Sequence, residues 1–190
     1  MMVVTVIAIT AGLAAPAMYN AFAERRTAAA PIDFVRLVRR ARSEAMAYGR
    51  AHLVRFSSTS PGSFRLYRGI SSSCVANDWT TIIPTSSSNP CGTPESDNEM
   101  CVEELRLGDS YYTTGSLQVR ATESSSATDV DICFEPDGRT LFDKTGAGLT
   151  ADNTINGGII FNFRRYDSGS PLGVVRQVVV PLGGDARVLR

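Results

Sequence analysis

Chemistry in this sequence starts from few residues. His52 is the only histidine among 190 residues, so a His-activated nucleophile or a histidine-bearing zinc site must be built around it. It stands where a first strand starts, and a structural or exposed role is expected there. Five acidic residues gather in DVDICFEPDGRTLFD: Asp129, Asp131, Glu135, Asp137 and Asp143. Carboxylate oxygens of this kind suit Ca²⁺. Strand alternation, however, sends successive side chains to opposite faces, and EPDG carries proline and glycine where a β-turn favours them. A solvated strand and turn is therefore preferred over calcium. No glycine-rich phosphate loop, no H-E-x-x-H and no serine elbow is present, so no catalytic residue, metal or cofactor is expected.

Cys74, Cys91, Cys101 and Cys133 form an even set without the paired C-x-x-C spacing of a zinc site. Two disulfides in an oxidising compartment suit them; four buried free thiols in a cytosolic domain are the alternative. Four cysteines allow three connectivities, and pairing Cys74 with Cys91 and Cys101 with Cys133 closes local loops.

The elements that must carry these residues divide the chain in two. Residues 1 to 23 hold no charge, and at helical rise they span roughly 30 Å, about a bilayer core. That exceeds the h-region of a signal peptide, about 7 to 15 residues, although Ala21-Phe22-Ala23 has the small-x-small form of a cleavage site. The helical pattern continues beyond it. In PIDFVRLVRRARSEAMAYG, Phe34, Leu37, Val38, Ala41, Ala45 and Tyr48 recur at three- and four-residue intervals, one apolar stripe with arginines on the other faces and Gly49 as a stop. One helix from Met1 to about Gly49 would be roughly 70 Å long. Pro16 and Pro31 are expected to kink or locally melt it.

Beyond Gly49 the texture changes to short alternating runs. AHLVRF (51–56) and SFRLYRG (63–69), joined by SSTSPG, read as an antiparallel hairpin. VEELRL (102–107), SLQVRA (116–121), DVDICFEP (129–136), GGIIFNFRRY (157–166) and VVRQVVVPL (174–182) are further strands, and ARVLR can add one more. The serine-rich stretches SSSCVANDW, PTSSSNPCGTPESDN and ESSSATD are expected as surface loops. The fold class is therefore α+β: a long N-terminal helix, in a transmembrane half (1–23) and an amphipathic half (24–50), then a mainly antiparallel sandwich or sheet head (51–190). Charge follows the same division. Net charge is zero, yet residues 1–68 hold ten arginines against Glu24, Asp33 and Glu44, and all but Lys144 of the nineteen basic residues are arginine.

The uncharged start with Pro16, RLVRRARSEAMAYGR leading into a first strand, the FEPDGR turn and the closing VVVPLGGDARV together resemble the GspH/FimT family of pseudopilins and minor type IV pilins. The resemblance covers the whole chain and is most specific at its two ends. It implies a non-enzymatic subunit, anchored once in a bacterial inner membrane with its head in the periplasm, that assembles through its helix into a type IV pilus or type II secretion pseudopilus. Its partners would be other pilins or pseudopilins, the inner-membrane assembly platform, membrane lipid before assembly, and prepilin peptidase acting on a precursor. The family's basic leader and its Phe-Thr-Leu-Ile-Glu-like stretch would then precede Met1. Helix assembly would use Ala8, Gly12, Ala15 and Pro16, with Phe34, Leu37, Val38, Ala41 and Ala45 in the amphipathic half; Ala11 and Ala14 add to the small residues that let helices approach closely.

Two other functions fit parts of the sequence. Some minor pilins of this kind bind DNA through basic residues near the C-terminus, which here are Arg187 and Arg190, with Arg164, Arg165 and Arg176; phosphate binding needs such charge clustered. A secreted β-domain released by signal peptidase would instead begin at Glu24. The two make opposite demands on residues 1–23.

Overall fold

The computed structural model describes residues 2–57, 62–83, 91, 100–107, 116–121, 129–143, 149, 158–167, 170–183 and 185–189; for 2–17, 19, 20, 23, 116–118, 120, 121 and 167 it describes backbone alone. One helix, α1 (Met2–Tyr48), precedes everything else. It ends because Gly49 takes the left-handed conformation at φ 65° and donates its N–H to the Ala45 carbonyl at 3.1 Å, an αL cap that a side chain at this position would oppose. The expected melting at the prolines is not observed: α1 runs unbroken through Pro16 and Pro31. A proline forfeits one intrahelical hydrogen bond, and at Pro31 the ring is buried on the head, where packing offsets that loss.

The expected strands form two antiparallel sheets. The first has the order β3-β2-β1-β5-β6, with β1 His52–Ser57, β2 Ser63–Arg68, β3 Cys101–Arg106, β5 Asp129–Phe134 and β6 Thr140–Asp143. The second has the order β4-β7-β8-β9, with β4 Ser116–Ala121, β7 Ile159–Asp167, β8 Ser170–Val180 and β9 Arg187–Leu189. SSTSPG does join an antiparallel pair, with Leu53 opposite Tyr67 and Phe56 opposite Phe64. EPDG is a turn: the Gly138 N–H donates to the Glu135 carbonyl at 3.0 Å, and the hairpin it makes carries β6, which the alternating pattern alone misses because it is four residues long. β8 begins earlier than expected, at Ser170. Pairing with β7 draws Pro171 and Gly173 into the strand, with a register shift between Phe163 and Arg165.

Both sheets and the helix share one core. Val54, Phe56, Phe64, Leu66, Ile132 and Phe134 come from the first sheet, Phe161, Phe163, Val178 and Val180 from the second, and Phe34, Leu37, Val38, Ala41 and Ala45 from α1. Phe34 is its centre, with ring centroids 4.2 Å from Phe64, 4.9 Å from Phe161 and 5.8 Å from Phe163. One helical side chain thus touches both sheets, and burying a phenylalanine contributes roughly 2 to 3 kcal/mol.

A second, smaller core lies on the opposite face of the first sheet, where Leu53, Tyr67 and Cys133 meet Cys74, Trp79, Ile82 and Ile83. The stretch SSSCVANDW, expected as a polar loop, instead folds over this face and leads into a short helix, α2 (Trp79–Ile82). Its polarity is used internally. Asn77 accepts from the N–H groups of Ile70 and Ser71 and donates to the Ser73 carbonyl, and the Trp79 indole donates to the Cys74 carbonyl at 2.7 Å. The other two serine-rich stretches lie outside the described residues except for Cys91 and Asp129.

Candidate assembly surface

Two disulfides are present, Cys74–Cys133 and Cys91–Cys101. The pairing of local loops, Cys74 with Cys91 and Cys101 with Cys133, is thereby corrected. Cys133 alternates with Ile132 and Phe134 on β5, so it points away from the main core and toward the loop that carries Cys74. The Cys74 N–H also donates to Glu135 at 2.8 Å, fixing that loop to the end of β5 twice.

The acidic run is also placed differently from expectation. Asp131 and Asp143 stand opposite each other on β5 and β6, and both are buried rather than solvated. Asp131 receives a bidentate pair of hydrogen bonds from Arg55, at 2.7 and 2.6 Å. Burial pushes its carboxyl upward, while the Arg55 guanidinium pulls it back down. Asp137 is engaged by Arg139, and Glu135 by Arg139 and the Cys74 N–H. Among the described residues no group of three acidic, histidine or cysteine side chains is arranged to hold a metal. His52 is fully buried at the start of β1, its Nδ1 3.0 Å from the Arg50 carbonyl and its Nε2 3.5 Å from Glu44. Burial holds its pKa below the usual histidine value, so the ring is neutral near pH 7.

Helix α1 is held to the head at both ends of its packed length. Near its C-terminus Glu44 is a hub, 2.8 Å from Arg40, 3.5 Å from His52 and 3.8 Å from Arg68, while Arg68 lies over the Tyr48 ring at 4.6 Å. Arg40 also bonds Glu103 of β3 at 2.6 Å. Arg42 donates to the Gly183 carbonyl at 3.2 Å and lies beside Gly138, so a single side chain bridges the β8–β9 turn and the EPDG turn. The three segments ARSEA, FEPDGR and PLGGDAR, far apart in sequence, meet at this arginine. At the other end Glu24 receives Arg176 of β8 at 3.2 Å, and a Cβ at Gly173 would overlap the Glu24 carboxylate.

The residues named for helix assembly therefore fall into two sets. Phe34, Leu37, Val38, Ala41 and Ala45 are buried within the chain's own core, and their contacts are with the head. Ala8, Gly12, Ala15 and Pro16, with Ala11 and Ala14, lie on the part of α1 described by backbone alone. Among the described residues no helix is long and apolar enough to cross a membrane. The water-facing side of α1 between Ile32 and Met46, both exposed, also carries Arg36 and Arg39, which make no ion pair among the described residues. Sequence periodicity identifies this face only as the remainder once the apolar stripe is assigned.

Of the arginines considered for DNA, four lie on the neighbouring strands β7, β8 and β9 of the second sheet. Arg176 is engaged by Glu24, Arg187 is exposed on β9 opposite Val179, Arg164 and Arg165 sit half-buried on β7, and Arg190 lies outside the described residues. Compared with known proteins, the chain matches no family model, no curated protein and no solved structure.

Proposed function

We propose that this chain is a structural subunit of a membrane-derived fibre, of the minor pilin or pseudopilin kind, with no catalysis of its own. The observation that carries the reading is the division along α1. The helix is 47 residues long, yet its contacts with the head described above run from Glu24 to Tyr48, and the stretch before Glu24 is uncharged in sequence. A helix in lipid satisfies its own backbone hydrogen bonds, so the uncharged stretch is stable there before assembly. Moving into a fibre exchanges lipid for neighbouring helices, and the small side chains of Ala8, Ala11, Gly12, Ala14 and Ala15 permit close packing. The head follows rigidly because Phe34, Glu44 and Arg42 lock it to the same helix. Two disulfides suit a head on the oxidising side of the membrane.

Flotation of the full chain with phospholipid vesicles tests this. The chain should rise with the vesicles and resist alkaline extraction, and cysteines introduced at Ala8 and Ala15 should cross-link copies into a ladder. A chain left in the soluble fraction, or a mature protein beginning at Glu24, would end the reading.

A further inference from the structure

Strand β8 runs beside α1 in the same direction. Arg176 reaches Glu24, and Gly183, just past the strand, accepts from Arg42. Between these two anchors the helix rises roughly 27 Å and the strand and turn cover roughly 25 Å, so the two stay in step. Gly173, like Arg176, lies against Glu24, so Ser170 to Leu172 continue past it toward the N-terminal half of the helix, while Val174 and Val175 lie level with it. They are exposed, and three are large and apolar: Leu172, Val174 at 65% exposure, and Val175. β9 pairs only with Gln177, Val178 and Val179, so among the described residues no strand covers the outer edge of this segment.

Arginines outnumber acids around it, the acids being Glu24 on α1 and Asp167, opposite Ser170. Arg25 and Arg26 follow Glu24, are exposed, and make no ion pair among the described residues. Arg165 stands opposite Leu172, and its Nε has no hydrogen-bond partner. Glu24, the acid in contact with this segment, is engaged by Arg176. Aliphatic side chains among arginines, beside an uncharged helix leaving a folded head, match a surface that rests on anionic headgroups. We propose that this end of the head, Leu172, Val174 and Val175 with Arg25, Arg26 and Arg165, docks on the anionic surface of the bilayer that holds α1. The inference rests on the membrane-anchored reading above. The aliphatic groups enter the boundary between headgroups and acyl chains, the guanidiniums meet lipid phosphates, and the head is held in one orientation until the subunit is extracted.

The full chain in vesicles of phosphatidylcholine and phosphatidylglycerol tests this by fluorescence. Trp79, the only tryptophan, is buried in the head and supplies a constant background. In Val174→Trp the added emission should shift to shorter wavelength and be quenched by lipids brominated near the headgroup, whereas in Asp185→Trp, at the opposite end of the head, it should not. Adding Arg25→Ser and Arg26→Ser should lower the quenched fraction severalfold, at about a fivefold loss of surface affinity per arginine. A chain that floats with the vesicles while Trp at 174 stays unquenched overturns the docking and leaves the anchor reading standing. Equal quenching on vesicles of phosphatidylcholine alone overturns the anionic assignment. Failure to float overturns the anchor, and the docking with it.

Discussion

The two faces of the first sheet are built from the same strands and solved by different chemistry. Its inner face presents Val54, Phe64, Leu66 and Ile132 to a helix whose apolar stripe matches them, so burial is the main hold there, with the polar contacts of Arg40, Arg42 and Glu44 at its margin. Its outer face presents Leu53, Arg55, Tyr67, Asp131 and Cys133, and no long helix covers them. A largely polar loop ending in the short helix α2 lies there instead, packed through Trp79, Ile82 and Ile83, tied down by the Cys74–Cys133 disulfide, and held in shape by Asn77 and the Trp79 indole, with the Arg55–Asp131 pair on the same face. A face covered by an element with its own periodicity is held mainly by burial, whereas one covered by a loop needs a covalent bond and satisfied polar groups.

This contrast can be broken most strongly at Phe34. Phe34→Ala removes the ring that touches both sheets and should cost about 3 to 5 kcal/mol in urea unfolding, with both sheets lost together. Removing the disulfide with Cys74→Ala and Cys133→Ala should cost about 2 to 4 kcal/mol. It should also loosen the outer face first, seen as a red shift of Trp79 emission ahead of the loss of strand signal in circular dichroism. Asp131→Ala removes the bidentate carboxylate from Arg55 and should cost about 2 to 3 kcal/mol, below the range for a fully buried pair because Arg55 keeps some water. The double change Arg55→Met with Asp131→Leu should restore most of that loss.

The smallest effect sharpens the comparison through pH. His52 lies where helix and sheet meet, facing Glu44 and Arg68, with Tyr48 alongside and Arg40 beyond Glu44. Its folded pKa is below the unfolded value of about 6.5. The unfolded chain therefore binds the proton more readily, and stability should fall as pH drops through about 6.5 toward the folded value. His52→Gln should flatten the fall of melting temperature between pH 7 and 5. An unchanged slope would mean that Glu44 compensates the charged ring despite Arg68.

Most of the fold was legible in local pattern. Alternation located β1 to β5 and β7 to β9, and a three-four spacing located the packed face of α1, because each element shows its periodicity wherever one side meets a core. β6 and α2 were not legible; four residues are too few to display a period. The pairing of Cys74 with Cys133 was not legible either, nor the burial of Asp131 and Asp143, since both depend on which loop returns over which face. The candidate surface divides likewise. Residues 1–23 stand out by lack of charge alone, whereas Leu172, Val174 and Val175 read in sequence as part of an ordinary strand and turn.

By itself the sequence determined the helix, its apolar stripe, its glycine stop and the alternation of the strands, because these follow from backbone geometry and side-chain polarity within a few residues. Only the tertiary structure decided that Phe34 would join two sheets, that Arg42 would tie ARSEA to two distant turns, and that β8 would run past Glu24 beside the helix. Those contacts join residues far apart along the chain, and their geometry exists only once the core has closed.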